Sequence, residues 1–240
     1  MSTRLFDLHD RIALVTGASR GIGEATARLL AEQGAHVILA SRKQADLDAV
    51  AASIVAAGGK ATAIAAHQGD SGALNALVDA IDQRFGRLDI LVNNAATNPH
   101  FGHIADTGMD MVDKTLQVNV KGYFELSALA AKLMKRGGGG AIVNVSSNAT
   151  RGIHRVPYSA AKGGINAITQ SLAMELADQN IRVVATAPGG TEAPPRRVPG
   201  PHSNGDASKV GPAALRPEAV LLSWAPSAHT TLGRTVRPQP

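Results

Sequence analysis

The chain has 240 residues and no cysteine, enough for one sizeable domain and incompatible with a disulfide scaffold, a thiol nucleophile or a Cys-ligated metal centre. Its formal charge of +5 comes from scattered Lys and Arg, and aromatic residues make up only 3%, so mild attraction for anionic ligands is expected rather than nucleic-acid binding. No apolar run approaches the ~18 residues of a membrane span, and MSTRLFDLHDR is too polar for a secretory signal, so a cytoplasmic protein without a membrane partner is expected.

Arg11–Thr16 (RIALVT) is an apolar run that stops at a glycine. Such runs without polar alternation suit strands buried on both faces of a parallel sheet. The run leads directly into Gly17-Ala18-Ser19-Arg20-Gly21-Ile22-Gly23 and then a helical pattern over Gly21–Gln33, with Ile22, Ala25, Leu29 and Leu30 at helical spacing. Gly17, Gly21 and Gly23 allow a tight turn and a close backbone approach to a pyrophosphate, and a helix N-terminus there offers unpaired N–H groups. A dinucleotide site is therefore expected at the first strand–helix junction.

The second strand, His36–Ala40, reports which dinucleotide. It runs into Ser41, Arg42 and Lys43, with no carboxylate before Asp46. An acidic residue there would bond the adenine ribose hydroxyls, whereas a guanidinium can pair with a 2′-phosphate. Arg20 in the glycine turn can reach the same phosphate. The expected cofactor is NADP(H), with NAD possible.

The series continues with a helix over Leu47–Ala57, a strand at Ala61–Ala65, a helix over Ala73–Phe85 and a strand at Leu88–Asn93. A long helix over Met109–Lys135, a strand at Ala141–Ser146, a helix over Tyr158–Gln179 and a strand at Ile181–Thr186 complete it. Six strands separated by five helices predict a doubly wound α/β sheet with right-handed crossovers, the Rossmann arrangement. After about Gly190 the alternation stops. Nine of the twelve prolines fall in residues 191–240, which block ladders and helices alike. A catalytic domain over 1–190 and an irregular Pro-rich tail over 191–240 are expected.

The chain has two tyrosines. Tyr158 begins Tyr158-Ser159-Ala160-Ala161-Lys162, and i, i+4 spacing puts phenol and ammonium on one helix face. A phenol near pKa 10 is a poor acid–base catalyst at neutral pH; a neighbouring ammonium favours the phenolate. Upstream, Ser146 and Ser147 end the fifth strand, and either hydroxyl can hold a substrate oxygen against the phenol. Asn119, inside the fourth helix, can kink that helix or bind a water behind the lysine.

Taken together these motifs resemble the short-chain dehydrogenases/reductases. TGASRGIG at 16–23, Asn93-Asn94-Ala95-Ala96, Asn119, Ser147, Tyr158 with Lys162, and Pro188-Gly189 occur in the family's order. The resemblance covers about residues 8–190 and implies hydride transfer between a nicotinamide and a carbonyl or secondary-alcohol carbon. It implies Tyr158 as general acid/base, Lys162 on the nicotinamide ribose, Ser147 (with Ser146 the second candidate) orienting the substrate oxygen, and Asn119 supporting a proton-relay water. The implied cofactor contacts are Gly17, Ser19, Arg20, Gly21, Ile22 and Gly23 in the turn, Ser41 and Arg42 after the second strand, and Asn93 and Ala95 after the fourth. Tyr158 and Lys162 belong to that set, as do Pro188, Gly189 and Thr191 at the nicotinamide end. His67 stands where the family often carries an adenine-contacting Asp; with Gln68 it is the candidate adenine contact. No metal is implied.

The resemblance is a mosaic. Residues 8–145 resemble NADP-dependent carbonyl reductases, notably VILASRK at 37–43. Residues 146–198 resemble dehydrogenases of benzoate-type cis-dihydrodiols, notably RGIHRVPYSAAKGG at 151–164. The family's last strand and glycine-rich ending have no counterpart beyond residue 190. Two alternatives to an NADP(H)-dependent carbonyl/alcohol oxidoreductase follow. One is a cofactor-binding protein with little or no catalysis. The other is an NAD-dependent dehydrogenase of a cis-dihydrodiol carboxylate, with Arg155, Arg196 and Arg197 available for the carboxylate. A homodimer or homotetramer through the fourth and fifth helices is expected, with small residues at Ser127–Ala131 and Ala160–Ala161 allowing close packing.

Overall fold

The computed structural model describes residues 6–189. The expected tail over 191–240, with Thr191, Arg196 and Arg197, lies outside the described residues. Within them each apolar run becomes a strand: β1 (Ile12–Thr16), β2 (His36–Ser41), β3 (Lys60–Ala65), β4 (Ile90–Asn93), β5 (Gly140–Val145) and β6 (Ile181–Thr186). They form one parallel sheet in the order β3-β2-β1-β4-β5-β6, the doubly wound order whose reversal between β1 and β4 opens a crevice at the strand C-termini.

The helices are α1 (Gly21–Glu32), α2 (Gln44–Ala56), α3 (Ser71–Phe85), α4 (Met109–Leu116), α5 (Gly122–Arg136) and α6 (Val156–Glu175). Alternate residues of the central strands feed two cores. Leu14, Ile38, Leu91 and Ile142 pack with Leu77 and Ile81 of α3 and Leu126 and Met134 of α5, with Leu172 of α6 against them. Val15, Leu39, Val92 and Val143 pack with Ala27 and Leu30 of α1 and Leu47, Val50 and Ile54 of α2. Burial on both faces explains why β1, β4 and β5 read as unbroken apolar runs.

Three expectations need correction. Two-sided burial does not extend to β3 and β6, which close the two ends of the sheet among the described residues; β3 is only half-buried and β6 alternates, with Arg182 and Ala185 exposed. The buried face of α1 is Gly23, Thr26, Ala27, Leu30 and Ala31, whereas Ala25 is exposed and Ile22 and Leu29 half-buried. Small residues at 23, 27 and 31 recur every four positions, so the helix lies close on the sheet along that stripe and turns the larger side chains aside. The single long helix over Met109–Lys135 is two helices joined by a π-helical turn, Gln117–Lys121. Such turns mark functional positions in many proteins, and Asn119 sits in this one.

Candidate active site

The glycine turn is fixed by close approach. Gly17 (φ +64°) and Gly21 (φ +59°) adopt the left-handed region, which an L side chain enters only at a cost. A Cβ on Gly17 would lie 2.8 Å from Asn94 Nδ2 and 2.9 Å from Ala95 Cα; one on Gly23 would lie 2.3 Å from the Gly17 carbonyl oxygen. The turn is thus pressed onto the loop after β4. Thr16 Oγ1 accepts the Asn94 and Ala95 N–H groups at 3.0 and 3.1 Å, and Asn94 Nδ2 donates to Thr16 O at 2.8 Å.

α1 begins after Arg20 with no side-chain cap, unlike α3, where Asp70 accepts the Ala73 N–H. Its leading N–H groups are therefore available to an anion. Ser19 and Ile22 are half-buried beside it and Arg20 is exposed. At the end of β2, Ser41 Oγ is buried without a hydrogen-bond partner among the described residues, and exposed Arg42 follows. A glycine cradle that a Cβ would fill, an uncapped helix start and an orphaned hydroxyl together fit a dinucleotide phosphate and ribose.

After β3 the two candidate adenine contacts diverge. His67 is exposed, and its Nδ1 accepts the Gly69 N–H at 3.1 Å. Gln68 is buried, with its carbonyl against the start of α5; a Cβ on Gly122 would lie 2.1 Å from that oxygen. Gln68 Nε2 has no partner among the described residues. Asn93 is also turned inward. It is fully buried, and its Nδ2 donates to Ser127 Oγ at 3.0 Å and to Asn144 Oδ1 at 2.9 Å. Ala95 is half-buried at the mouth of the same loop.

The first two turns of α6 carry Tyr158 and Lys162. Lys162 is 1% exposed. Its Nζ donates to the Val145 carbonyl at 2.6 Å and lies 5.6 Å from the Tyr158 ring centroid and 5.2 Å from that of Tyr123. Burial pushes the ammonium down to about 7, because the charged form loses its hydration. Tyr123, from α5, is fully buried and donates its hydroxyl to the same Val145 carbonyl at 3.3 Å. Burial first, and the neighbouring Tyr158 second, raise its pKa above that of an ordinary phenol.

The two serines at the end of β5 separate. Ser146 is buried and its Oγ donates to the Lys162 carbonyl at 3.2 Å, tying β5 to α6. Ser147 is half-buried, and its Oγ accepts the Ala149 N–H at 3.0 Å at the start of a short turn, Asn148–Arg151. Ser159 Oγ donates to Ala149 O at 2.7 Å and fixes that turn against α6. The Pro188 carbonyl accepts the Asn148 N–H at 3.1 Å, and Gly189 follows it, a Cβ there falling 3.1 Å from Asn148 Nδ2. Pro188 and Gly189 therefore lie beside Ser147.

Asn119 is fully buried. Its Oδ1 accepts the Thr97 N–H and its Nδ2 donates to the Thr97 carbonyl, each at 2.8 Å. Of the two roles read from sequence, the departure from regular helix is present; the side chain closes on the loop after β4. That loop meets the segment before α6: the Gly102 N–H donates to His154 O at 2.9 Å, and the Arg155 guanidinium lies 5.1 Å from the Phe101 ring centroid.

Sequence reasoning passed over Thr16, Asn94, Thr97 and Tyr123. Thr16 Oγ1 and Asn94 Nδ2 bond main-chain groups across the junction and Thr97 is held through its own main chain, long-range pairings that a sequence motif does not specify. Tyr123 carried a signal: it is one of only two tyrosines and lies four residues after Asn119, hence on the same side of the helix.

Residues 11–199 match the short chain dehydrogenase family. The chain is 41% identical over 191 residues to human dehydrogenase/reductase SDR family member 4, covering 78% of this chain and 68% of that protein. It is 39% identical over 201 residues to the 1,6-dihydroxycyclohexa-2,4-diene-1-carboxylate dehydrogenase of Acinetobacter baylyi, covering 82% and 75%. Among solved structures, a metagenomic short-chain oxidoreductase in complex with NADP superposes with a TM-score of 0.73 at 38% identity, covering 76% and 84%. An NAD+-bound xylitol dehydrogenase gives 0.75 at 33% identity, covering 77% and 72%. No helix of the described residues is long and apolar enough to cross a membrane.

Proposed function

The chain belongs to the short-chain dehydrogenase/reductase family, and on that premise we propose that it moves a hydride between NADP(H) and a carbonyl/secondary-alcohol pair. The observation that carries the proposal is the placement of Lys162, buried beside Tyr158 and bonded to the Val145 carbonyl. When bound, the nicotinamide accepts or donates the hydride. Tyr158 gives a proton to the carbonyl oxygen in reduction and takes it back in oxidation. Lys162 in its charged form lowers the phenol pKa and offers donors to a ribose. Ser147 is the serine for the substrate oxygen, since Ser146 is buried and bonded to the Lys162 main chain. Asn119 holds the loop after β4 through Thr97.

NADP(H) rather than NAD(H) is supported by Arg42 and Arg20, both exposed next to the orphaned Ser41 Oγ or in the glycine turn. A charge-assisted hydrogen bond contributes roughly 1.5–3 kcal/mol, so each arginine can supply a tenfold or larger preference. Ser41→Asp with Arg42→Ala is expected to reverse that preference; wild-type protein binding NADH more tightly than NADPH overturns the assignment. The decisive test of the chemistry is an activity screen with both cofactors on ketones, quinones and cis-diol acids. Tyr158→Phe should abolish the turnover found, and retained turnover refutes the acid/base role. The likeness to the Acinetobacter enzyme favours a second reading, an NAD-dependent cis-dihydrodiol carboxylate dehydrogenase, which the diol acids in that screen would reveal.

A homodimer or homotetramer belongs to the same proposal. Of the small residues read as subunit contacts, Ser127, Ala130, Ala131 and Ala161 are buried inside the chain, whereas Ala128 and Ala160 are exposed. The apolar residues left exposed on α4, α5 and α6 include Met109, Leu116, Phe124 and Met174, and these support association. Light scattering at micromolar concentration tests it, a single monomeric species counting against it. A cytoplasmic location is likewise proposed and is tested by cell fractionation.

A further inference from the structure

Lys162 carries its ammonium in an almost dry site, and burial lowers its pKa. The charged groups on the elements packed against α6 are Asp110, Asp113 and Lys114 of α4, Lys121 of the π-helical turn, Arg151 of the turn after β5, Asp178 of the turn Ala177–Gln179 and Arg182 of β6. What faces Nζ among the described residues is the Val145 carbonyl and two aromatic rings, Tyr158 on its own helix and Tyr123 from α5. A cation over an aromatic face is attracted by the ring's negative quadrupole, most strongly where water is excluded. Tyr123 is 0% exposed. Its hydroxyl rests on the same carbonyl that receives the lysine, which fixes the ring relative to Nζ. Burial keeps that hydroxyl protonated, so the ring is a neutral wall and not a competing anion.

We propose that Tyr123 is a positioning residue for the acid–base pair: its ring, anchored through Val145 O, holds the charged form of Lys162 against Tyr158. The inference rests on the roles given to Tyr158 and Lys162 under Proposed function. An aliphatic residue of similar bulk would fill the core but leave the ammonium without one of its two ring partners. The lysine would then lose its proton at lower pH, and with it the influence that favours the Tyr158 phenolate.

The test follows the 13Cε resonance of Lys162 with pH in 13C-lysine-labelled, cofactor-free protein, the signal being assigned by its loss in Lys162→Met. Tyr123→Leu is expected to lower the titration midpoint by about one pH unit, while Tyr123→Phe, which keeps the ring, leaves it near the wild-type value. Tyr123→Met serves in place of the leucine variant if that one does not fold. A midpoint unchanged in Tyr123→Leu or Tyr123→Met overturns the proposal, as does an equal shift in Tyr123→Phe. The pH profile of turnover on a ketone accepted in the screen is read alongside, and its limbs should move in Tyr123→Leu and not in Tyr123→Phe. Tyr158→Phe that keeps turnover would instead defeat the catalytic reading while leaving the lysine titration to decide the role of Tyr123.

Discussion

Burying a lysine makes the protein's stability depend on pH in a direction that can be worked out in advance. In the unfolded chain the Lys162 ammonium keeps its proton to about pH 10.4; in the folded protein burial lowers the midpoint to about 7. Between those values the unfolded state binds more protons than the folded one, so stability rises with pH, by up to about 1.4 kcal/mol per unit. The full destabilisation, about 5 kcal/mol as an order of magnitude, is present below pH 7 and is relieved as pH climbs toward 10. Lys162→Met removes the titrating group at similar volume. Urea unfolding of both cofactor-free proteins should find the variant more stable at pH 7, with its advantage shrinking by about 2–3 kcal/mol by pH 9. Groups common to both proteins cancel in that difference. An advantage that stays constant with pH, or grows, refutes the argument.

Three further outcomes are expected. Gly17→Ala forces an L side chain to φ +64° and against Asn94 and Ala95; NADPH fluorescence titration should show at least a tenfold loss of affinity, roughly the effect of 1–2 kcal/mol. Asn119→Ala leaves the Thr97 N–H and carbonyl without their partners, a cost of about 1–3 kcal/mol, and hydrogen exchange over residues 95–103 should speed up relative to the rest of the sheet. Asn144→Ala opens a buried hydrogen-bonded cluster and should lower unfolding stability by about 2–4 kcal/mol, measured by the urea midpoint.

The sheet was legible because its strands are apolar on both faces and separated by helix-length segments, a pattern few other folds share. Strand identity survived even at β3 and β6, where the inference of two-sided burial did not, because a sequence run does not say which strand ends up at an edge. The Tyr158–Lys162 pair and the glycine turn were legible for a related reason: their chemistry depends on residue type at fixed short spacing. Asn93 was harder to place. Its position at the end of β4 says that it is near the crevice, but the side-chain direction is set by Ser127 and Asn144, which are 34 and 51 residues away. The break in the long helix was equally hidden, since Gln117–Lys121 has no proline to announce it and the Asn119–Thr97 pairing is a tertiary contact.

The two asparagines have a consequence for how the sheet finds its alignment. β4 and β5 are so uniformly apolar that sliding one past the other by a residue would still leave hydrocarbon on both faces, so hydrophobicity alone does not choose among alignments. Asn93 and Asn144 are direct partners in the observed register. Their side chains join there, and Asn144 Nδ2 continues to Thr169 Oγ1 on α6 at 3.0 Å. Any slip would strand amides in hydrocarbon, at about 1–3 kcal/mol for each unpaired group. The pair therefore works as a latch between neighbouring strands. It costs some stability relative to a wholly apolar core, and in return it selects the one alignment in which the Val145 carbonyl meets the lysine.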